Sequence, residues 1–180
     1  MIYVILAGAT TLISILFLVY FNLLNKQKKD KIRITTAEEE ISNSLDERLN
    51  ILKDLEKIIN SCTELNQNNF KDFNSDELDH FEFDRKLSKI TDTFNKIKSD
   101  YQVELDKEDF RDLMTKLKIN EEKNEASKSY YNKYAEDLNA RISSFPSNLI
   151  AKLNRTEKKD MFDINKFKQM KTDVVIESKI

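Results

Sequence analysis

Apolar positions along this chain follow two regimes. From Ile2 to Leu24 they run almost unbroken (IYVILAGATTLISILFLVYFNLL), and beyond that they recur at intervals of three and four among charged residues. A helix of the first kind rises 1.5 Å per residue and extends roughly 34 Å, enough to cross a bilayer core of ~30 Å. The second regime predicts amphipathic helices. Ile41, Leu45, Leu52, Leu55, Ile59 and Cys62 share one face, so helix one is expected to run from the apolar stretch to about Leu65.

Asn66 to Ser75 (NQNNFKDFNS) has no period and reads as a turn, with Ser75 as N-cap and Asp76 and Glu77 in the first turn of helix two. Phe83, Leu87, Ile90, Phe94, Ile97 and Tyr101 then alternate four and three, a coiled-coil-like seam. Helix three is expected near Asp106, with Asp109 at the capping-box position and Phe110, Leu113 and Leu117 facing inward. Its seam turns polar at Glu121, Asn124 and Lys128. Apolar spacing resumes with Tyr131, Tyr134, Leu138, Ile142 and Phe145, and Pro146 ends the helix because a residue before proline disfavours helical backbone. Leu149-Ile150-Ala151 should fold back on the bundle, and a short helix is possible from Asp163 to Lys171. The expected fold is all-α: an N-terminal transmembrane helix, then an elongated antiparallel bundle of three long helices plus a short C-terminal helix. The divisions are an anchor (1–25), a basic juxtamembrane segment (26–34), the bundle (35–165) and a tail (166–180).

Composition narrows the chemistry. Gly8 is the only glycine and Pro146 the only proline, so the polar region contains no glycine. Phosphate-cradling loops, dinucleotide fingerprints, nucleophile elbows and tight two-residue hairpins all require one. A cleaved signal peptide would need a basic leader, a shorter apolar core and a small-residue cleavage site, and none is present. Lys26, Lys28, Lys29, Lys31 and Arg33 crowd one flank of the apolar run, which by the positive-inside rule puts the bundle in the cytoplasm and the N-terminus outside. These cations serve topology and snorkelling, and could also attract anionic lipid at ~1 kcal/mol each. Setting aside those five and Asp30 from totals of 30 basic and 32 acidic residues leaves the rest at −6. Such an acidic domain should not seek nucleic acid.

Candidate chemical groups each meet a plainer reading. Glu77-x-x-His80 has the spacing of di-iron carboxylate bundles, but His80 is the sole histidine and such a site needs that pair twice; an exposed acidic helix start explains it. Cys62 and His80 flank one loop without a third catalytic partner, so Cys62 is expected as a small buried hydrophobe. Tyr130, Tyr131, Tyr134 and Phe145 lack interleaved basic residues and are expected in the core. No catalytic, metal-binding or cofactor-binding residue is assigned, and no small-molecule substrate. The expected partners are the lipid bilayer, through residues 2–24, and another protein or a second copy of the chain. The favoured function is a non-enzymatic membrane scaffold or adaptor; the alternative is an enzyme or metal-binding protein whose site forms only on oligomerisation.

Two polar breaks suggest a specific contact. Arg48 interrupts the helix-one seam between Leu45 and Leu52, and Glu121 follows Leu117 on helix three. With helices one and three both running away from the membrane, a partly buried Arg48–Glu121 pair, Glu125 being the substitute acceptor, would fix their register. The competing expectation is that both side chains snorkel outward.

Three blocks of spelling resemble the LemA family. Leu45 to Leu55 (LDERLNILKDL) matches its first-helix pattern of leucine, arginine, two aliphatics and an Asn/Asp-Leu pair, with Lys53 replacing a proline. Tyr101 to Leu117 is similar to its Tyr-Pro-x-Leu start of the third helix, with Gln102 replacing proline. Ala126 to Asn132, Leu138-Asn139 and Ser144 to Ala151 (SFPSNLIA) are similar to its paired Tyr-Asn steps ending in Phe-Pro-x-Asn-Leu-x-Ala; Met161-Phe162 sits where a paired aromatic is frequent. The resemblance implies a single-pass membrane protein with a helical bundle and no established catalytic activity, cofactor or substrate. It adds Tyr131, Asn132, Phe145, Pro146 and Asn148 to Arg48, Glu121 and Glu125 as structural or interaction candidates.

Overall fold

A computed structural model describes residues 1–71, 73–74 and 78–162. Within them the chain is helical, with no strand: α1 (Ile2–Cys62), α2 (His80–Asp100), α3 (Glu108–Ser143) and α4 (Ser147–Leu153). The expected helix from Asp163 to Lys171 and the 166–180 tail lie outside the described residues. The expected all-α fold, with a long apolar N-terminal helix, is what the structure has.

The helix ends follow from local chemistry. α1 runs 61 residues without an internal proline. It stops where Ser61 and Thr63 turn their hydroxyls back onto the carbonyls of Ile58 and Ile59. The chain then doubles back along the last turns of α1. Asn60 exchanges two hydrogen bonds with the backbone of Gln67 (2.7 and 2.8 Å), and Glu56 accepts from the Asn69 backbone and side chain (2.7 and 2.9 Å). α2 starts later than its sequence suggests. Its N-cap is Asp79, whose carboxylate accepts from the Glu82 N–H at 2.7 Å; Ser75, Asp76 and Glu77 lie outside the described residues. Asp106 binds the Arg111 side chain at 2.9 Å, ahead of α3. Glu108 and Asp109 occupy the first turn of α3 and Arg141 its last, the placement the helix dipole favours.

α4 closes in a Schellman motif: Thr156 N–H donates to Ala151 O (2.9 Å) and Arg155 N–H to Lys152 O (3.2 Å). This needs a left-handed residue, usually glycine, and Arg155 fills it at φ 47°. The Phe145–Pro146 peptide is cis.

Contacts divide the chain into two compact units, Met1–Ala37 with Tyr130–Met161 and Glu38–Ser129 with Phe162 onward. In the second unit the core is Ile41, Leu45, Leu52, Leu55 and Ile59 of α1, Phe83, Leu87, Ile90, Phe94 and Ile97 of α2, and Phe110 and Leu117 of α3. The α1 stripe is broad, with Leu49 and Ile51 buried too, because two helices pack against it. Phe81 stacks on Phe162 at 4.2 Å.

One expected feature is corrected. Within the second unit, α1 meets α3 in reverse order: Glu40 contacts Ser127, Ser44 contacts Asn120 and Arg48 contacts Glu121. Helix three therefore runs against α1, not with it. The cause is the backtracking segment after Cys62, which lets α2 start low on the bundle. The link 101–107 then reverses the chain into α3, with Asp84 of α2 beside Asn124 and Lys128.

In the first unit, Tyr131, Ala135, Leu138 and Ile142 of α3, Ile150 and Ala151 of α4, and Ile34 and Ala37 of α1 are buried. The large side chains from Ile2 to Phe21 are exposed, and this helix is the one candidate membrane span among the described residues.

Candidate functional site: a polar cluster inside the helical core

Three helices of the second unit bring charged side chains together inside an apolar core. Arg48, only 4 % exposed, is placed by the α1 seam, where three-and-four spacing points every such side chain inward. Its Nη2 donates to Glu121 Oε1 at 2.7 Å and to Thr91 Oγ1 at 2.8 Å, and its Nη1 lies 3.6 Å from Asp84 Oδ1. Asp84 in turn accepts from Asn124 Nδ2 (3.2 Å) and Lys128 Nζ (3.0 Å), and Lys128 also pairs with Glu125 one turn back on α3. Thr91 donates its own hydroxyl to Leu87 O at 3.0 Å. A further polar extension follows on the α1–α3 face: Asn120 donates to Ser44 O (3.1 Å) and the Glu47 carboxylate (3.0 Å), and Ser127 to the Glu40 carboxylate (3.2 Å).

Arg48 and Lys128 thus face Asp84, Glu121 and Glu125, one more carboxylate than cations. Burial pushes the Glu121 carboxyl up, joined by the charges of Asp92 and Glu125, against the pull of Arg48 and Lys128. Arg48 Nε, Asn124 Oδ1 and Glu125 Oε2 are buried without a hydrogen-bond partner among the described residues. Buried ion pairs seldom stabilise more than well-packed apolar side chains would, whereas removing one partner costs several kcal/mol. The observed register of the three helices pairs these groups, and a slip that separated them would leave buried charges without partners. The carboxylates are already engaged by cations. Among the described residues no three His, Cys, Asp or Glu side chains gather in a metal-binding arrangement.

The structure thus brings Arg48 and Glu121 together. Glu125 takes Lys128, not Arg48. Asp84 and Thr91 are the members that sequence reasoning missed. Asp84 stood in the acidic start of helix two, beside seam residue Phe83, and looked like solvated surface. The available signal was the polar seam of α3, since Asn124 and Lys128 turned inward require an acid opposite. Tyr131 is buried, Asn132 and Asn148 are half-buried, and Asn148 Oδ1 has no partner among the described residues. Phe145, expected in the core, is 80 % exposed, because α3 ends at Ser143 and the inward stripe stops with Ile142. Tyr130, half of a T-shaped pair with Tyr134, is also exposed, and Tyr134 is half-buried under the Arg33 guanidinium at 4.5 Å. Cys62 is half-buried instead of fully enclosed. The thiol pKa is lowered by the hydrogen bond between Cys62 and Ser61 and by Lys107.

The first unit carries a second ordered polar face. Gln27, Asp30 and Ile34 turn inward on α1: Gln27 Nε2 donates to Ser147 O (3.0 Å) and Asp30 takes Arg141 Nε (3.0 Å). Lys26, Lys28, Lys29, Lys31 and Arg33 are exposed. The one anion of the flank is thereby withdrawn, and its outer face is wholly cationic.

Comparison with curated proteins and with solved structures gives no match. The family model described as the LemA family matches residues 37–177. That span holds all three core helices' contributions to the polar cluster, including Arg48, Asp84 and Glu121, and the Phe145-Pro146 corner. The chain belongs to the LemA family.

Proposed function

We propose that this chain is a single-pass, membrane-anchored scaffold whose helical bundle lies in the cytoplasm and engages another protein, without catalysing a reaction. The observation that carries this reading is the contrast along α1. Its large side chains are exposed from Ile2 to Phe21, while Gln27, Asp30, Ile34 and Ala37 are buried against α3 and α4 in the same unit. A helix that is apolar all round and uncovered demands lipid, and its immediate continuation is locked to the folded part. The cationic outer face of residues 26–33 supports the cytoplasmic orientation. The internal polar cluster supports a non-enzymatic role, because its groups are spent on one another. The link 101–107, where Val103 is exposed, offers a contact surface at one end of the helices of the second unit.

Orientation is tested by replacing Cys62 with serine and Val103 with cysteine, then treating intact cells with a membrane-impermeant maleimide. Labelling only after permeabilisation is expected; labelling of intact cells would place the bundle outside. The adaptor role is tested with a proximity-labelling enzyme inserted in the 101–107 link. It should mark a set of proteins that the same enzyme carried by residues 1–36 alone does not, and identical sets would refute it.

A further inference from the structure

The first unit contains an apolar surface that packing leaves uncovered. Phe145 (80 % exposed), Leu149 (53 %) and Leu153 (75 %) follow one another at intervals of four, the last two on the side of α4 away from Ile150 and Ala151, which are buried. In a seven-residue helix of otherwise modest length, the outward side chains are thus the larger ones.

The position of this surface identifies what covers it. Gln27 holds Ser147 O at 3.0 Å, and Lys31 Nζ holds Thr156 Oγ1 at 2.9 Å. α4 and its cap therefore lie alongside residues 27–31 of α1. Gln27 is three residues past Leu24, the last of the apolar run, or roughly 4.5 Å at 1.5 Å per residue. The polar layer on each side of a bilayer core is about 5–8 Å thick, so α4 starts inside it. Lys152 and Arg155, on α4 and its cap, border the apolar stripe, and Lys26, Lys28 and Lys29 stand at the same level on α1; all five are exposed. Arg155 holds its charge at a left-handed position where glycine would be unstrained. An apolar stripe bordered by cations at this depth is the pattern of an interfacial segment, whose apolar face sinks about 5–10 Å into the headgroup and acyl boundary.

We infer that the Phe145-Pro146 corner and α4 form a second membrane contact, an interfacial foot. It lays Phe145, Leu149 and Leu153 into the leaflet beside the emerging anchor and sets Lys152 and Arg155 against anionic phospholipid headgroups. This rests on the membrane-anchored reading of residues 2–24. Its consequence is that the anchor cannot swivel freely, because the bundle touches the leaflet at two places.

The chain contains no tryptophan, so single replacements report without background. The full-length variants Phe145→Trp, Leu149→Trp and, within the anchor, Phe17→Trp are reconstituted in phosphatidylcholine vesicles with and without phosphatidylglycerol, prepared with ordinary or brominated acyl chains. Trp emission at 145 and 149 should be blue-shifted, shielded from acrylamide and lost to shallowly brominated lipid, more so with phosphatidylglycerol. Emission at 17 should be lost to deeply brominated lipid. If position 17 is quenched by lipid while 145 and 149 stay open to acrylamide, the foot is refuted and the anchor stands. If position 17 is not quenched, the membrane reading itself fails. Shielding of 145 and 149 that ignores bromination and grows with protein density would mean that a second copy covers the stripe, which also refutes the foot. Both sites are exposed, and far-ultraviolet circular dichroism matching the parent verifies folding of each variant.

Discussion

Replacing Arg48 with methionine isolates the polar cluster from the apolar packing around it, since methionine matches much of the volume of the arginine stem. The change removes the 2.7 Å contact to Glu121, the 2.8 Å contact to Thr91 and the longer approach to Asp84. Breaking a buried pair by removing one partner costs about 3 to 5 kcal/mol. Two features put this case near the lower figure. Asp84 keeps Lys128 and Asn124, and the Glu121 side chain, 33 % exposed, can reach water. The expected loss is therefore about 3 kcal/mol. Glu121→Leu should cost less, because Arg48 keeps Thr91 and Asp84. The joint change should fall well short of the sum, by about 2 kcal/mol, within the range seen for coupled neighbours. It should not return fully to the parent, since Thr91 still lacks the Arg48 donor, at roughly 1 kcal/mol for a hydrogen bond. Urea denaturation of the full chain in mild detergent, followed by circular dichroism, gives the four values. Simple additivity, within about 0.5 kcal/mol, would refute a coupled cluster.

Four further outcomes follow from the same structure. Glu121 has a folded-state pKa raised above its unfolded value, so the folded state binds the proton more tightly and stability falls as pH rises from the ordinary glutamate range through the raised value; relative to Glu121→Gln, which keeps an acceptor for Arg48, the parent should lose stability with rising pH in urea titrations at successive pH values, and a gain would reverse the assigned direction. Cys62 should react with a neutral maleimide along a pH profile displaced below that of a free thiol, moving back upward in Lys107→Ala; an unmoved profile in that variant removes Lys107 as a cause. Leu55→Ala, in the fully buried α1 seam, should cost about 2 to 5 kcal/mol in the same denaturation assay, and a loss under 1 kcal/mol would contradict its placement. Arg155→Gly should gain about 1 kcal/mol by relieving the left-handed strain, read as a raised melting midpoint; an unchanged or lowered midpoint would contradict a strained Arg155.

The three long helices, the inward face of α2 and the polar interruptions at Arg48 and Glu121 were legible because three-and-four spacing encodes a face directly; α4 was not, because seven residues are too few to show a period. The sense of α3 relative to α1 was not. It depends on the path of residues 63–69, whose return along α1 rests on Asn60 and Glu56 binding backbone several residues later. An asparagine-rich stretch reads equally as a sharp turn or a doubling back. Asp84 escaped notice for a related reason: it follows directly on the acidic start of helix two, where Glu82 in the first turn is satisfied by the dipole, and it read as part of the same solvated face. Phe145 misled in the opposite direction. Its spacing from Ile142 continues the stripe, but Ser143 and Ser144 return their hydroxyls to the α3 carbonyls of Asn139 and Ala140, and the helix ends before the phenylalanine can face inward.

The claim on which the account rests is that residues 2–24 hold the folded helices to a membrane. Alkaline carbonate extraction of membranes from cells producing the full chain, beside a chain lacking residues 2–24, measures it directly. The full chain should stay with the lipid pellet while the shortened chain remains soluble and helical. Release of the full chain into the carbonate supernatant would contradict the account.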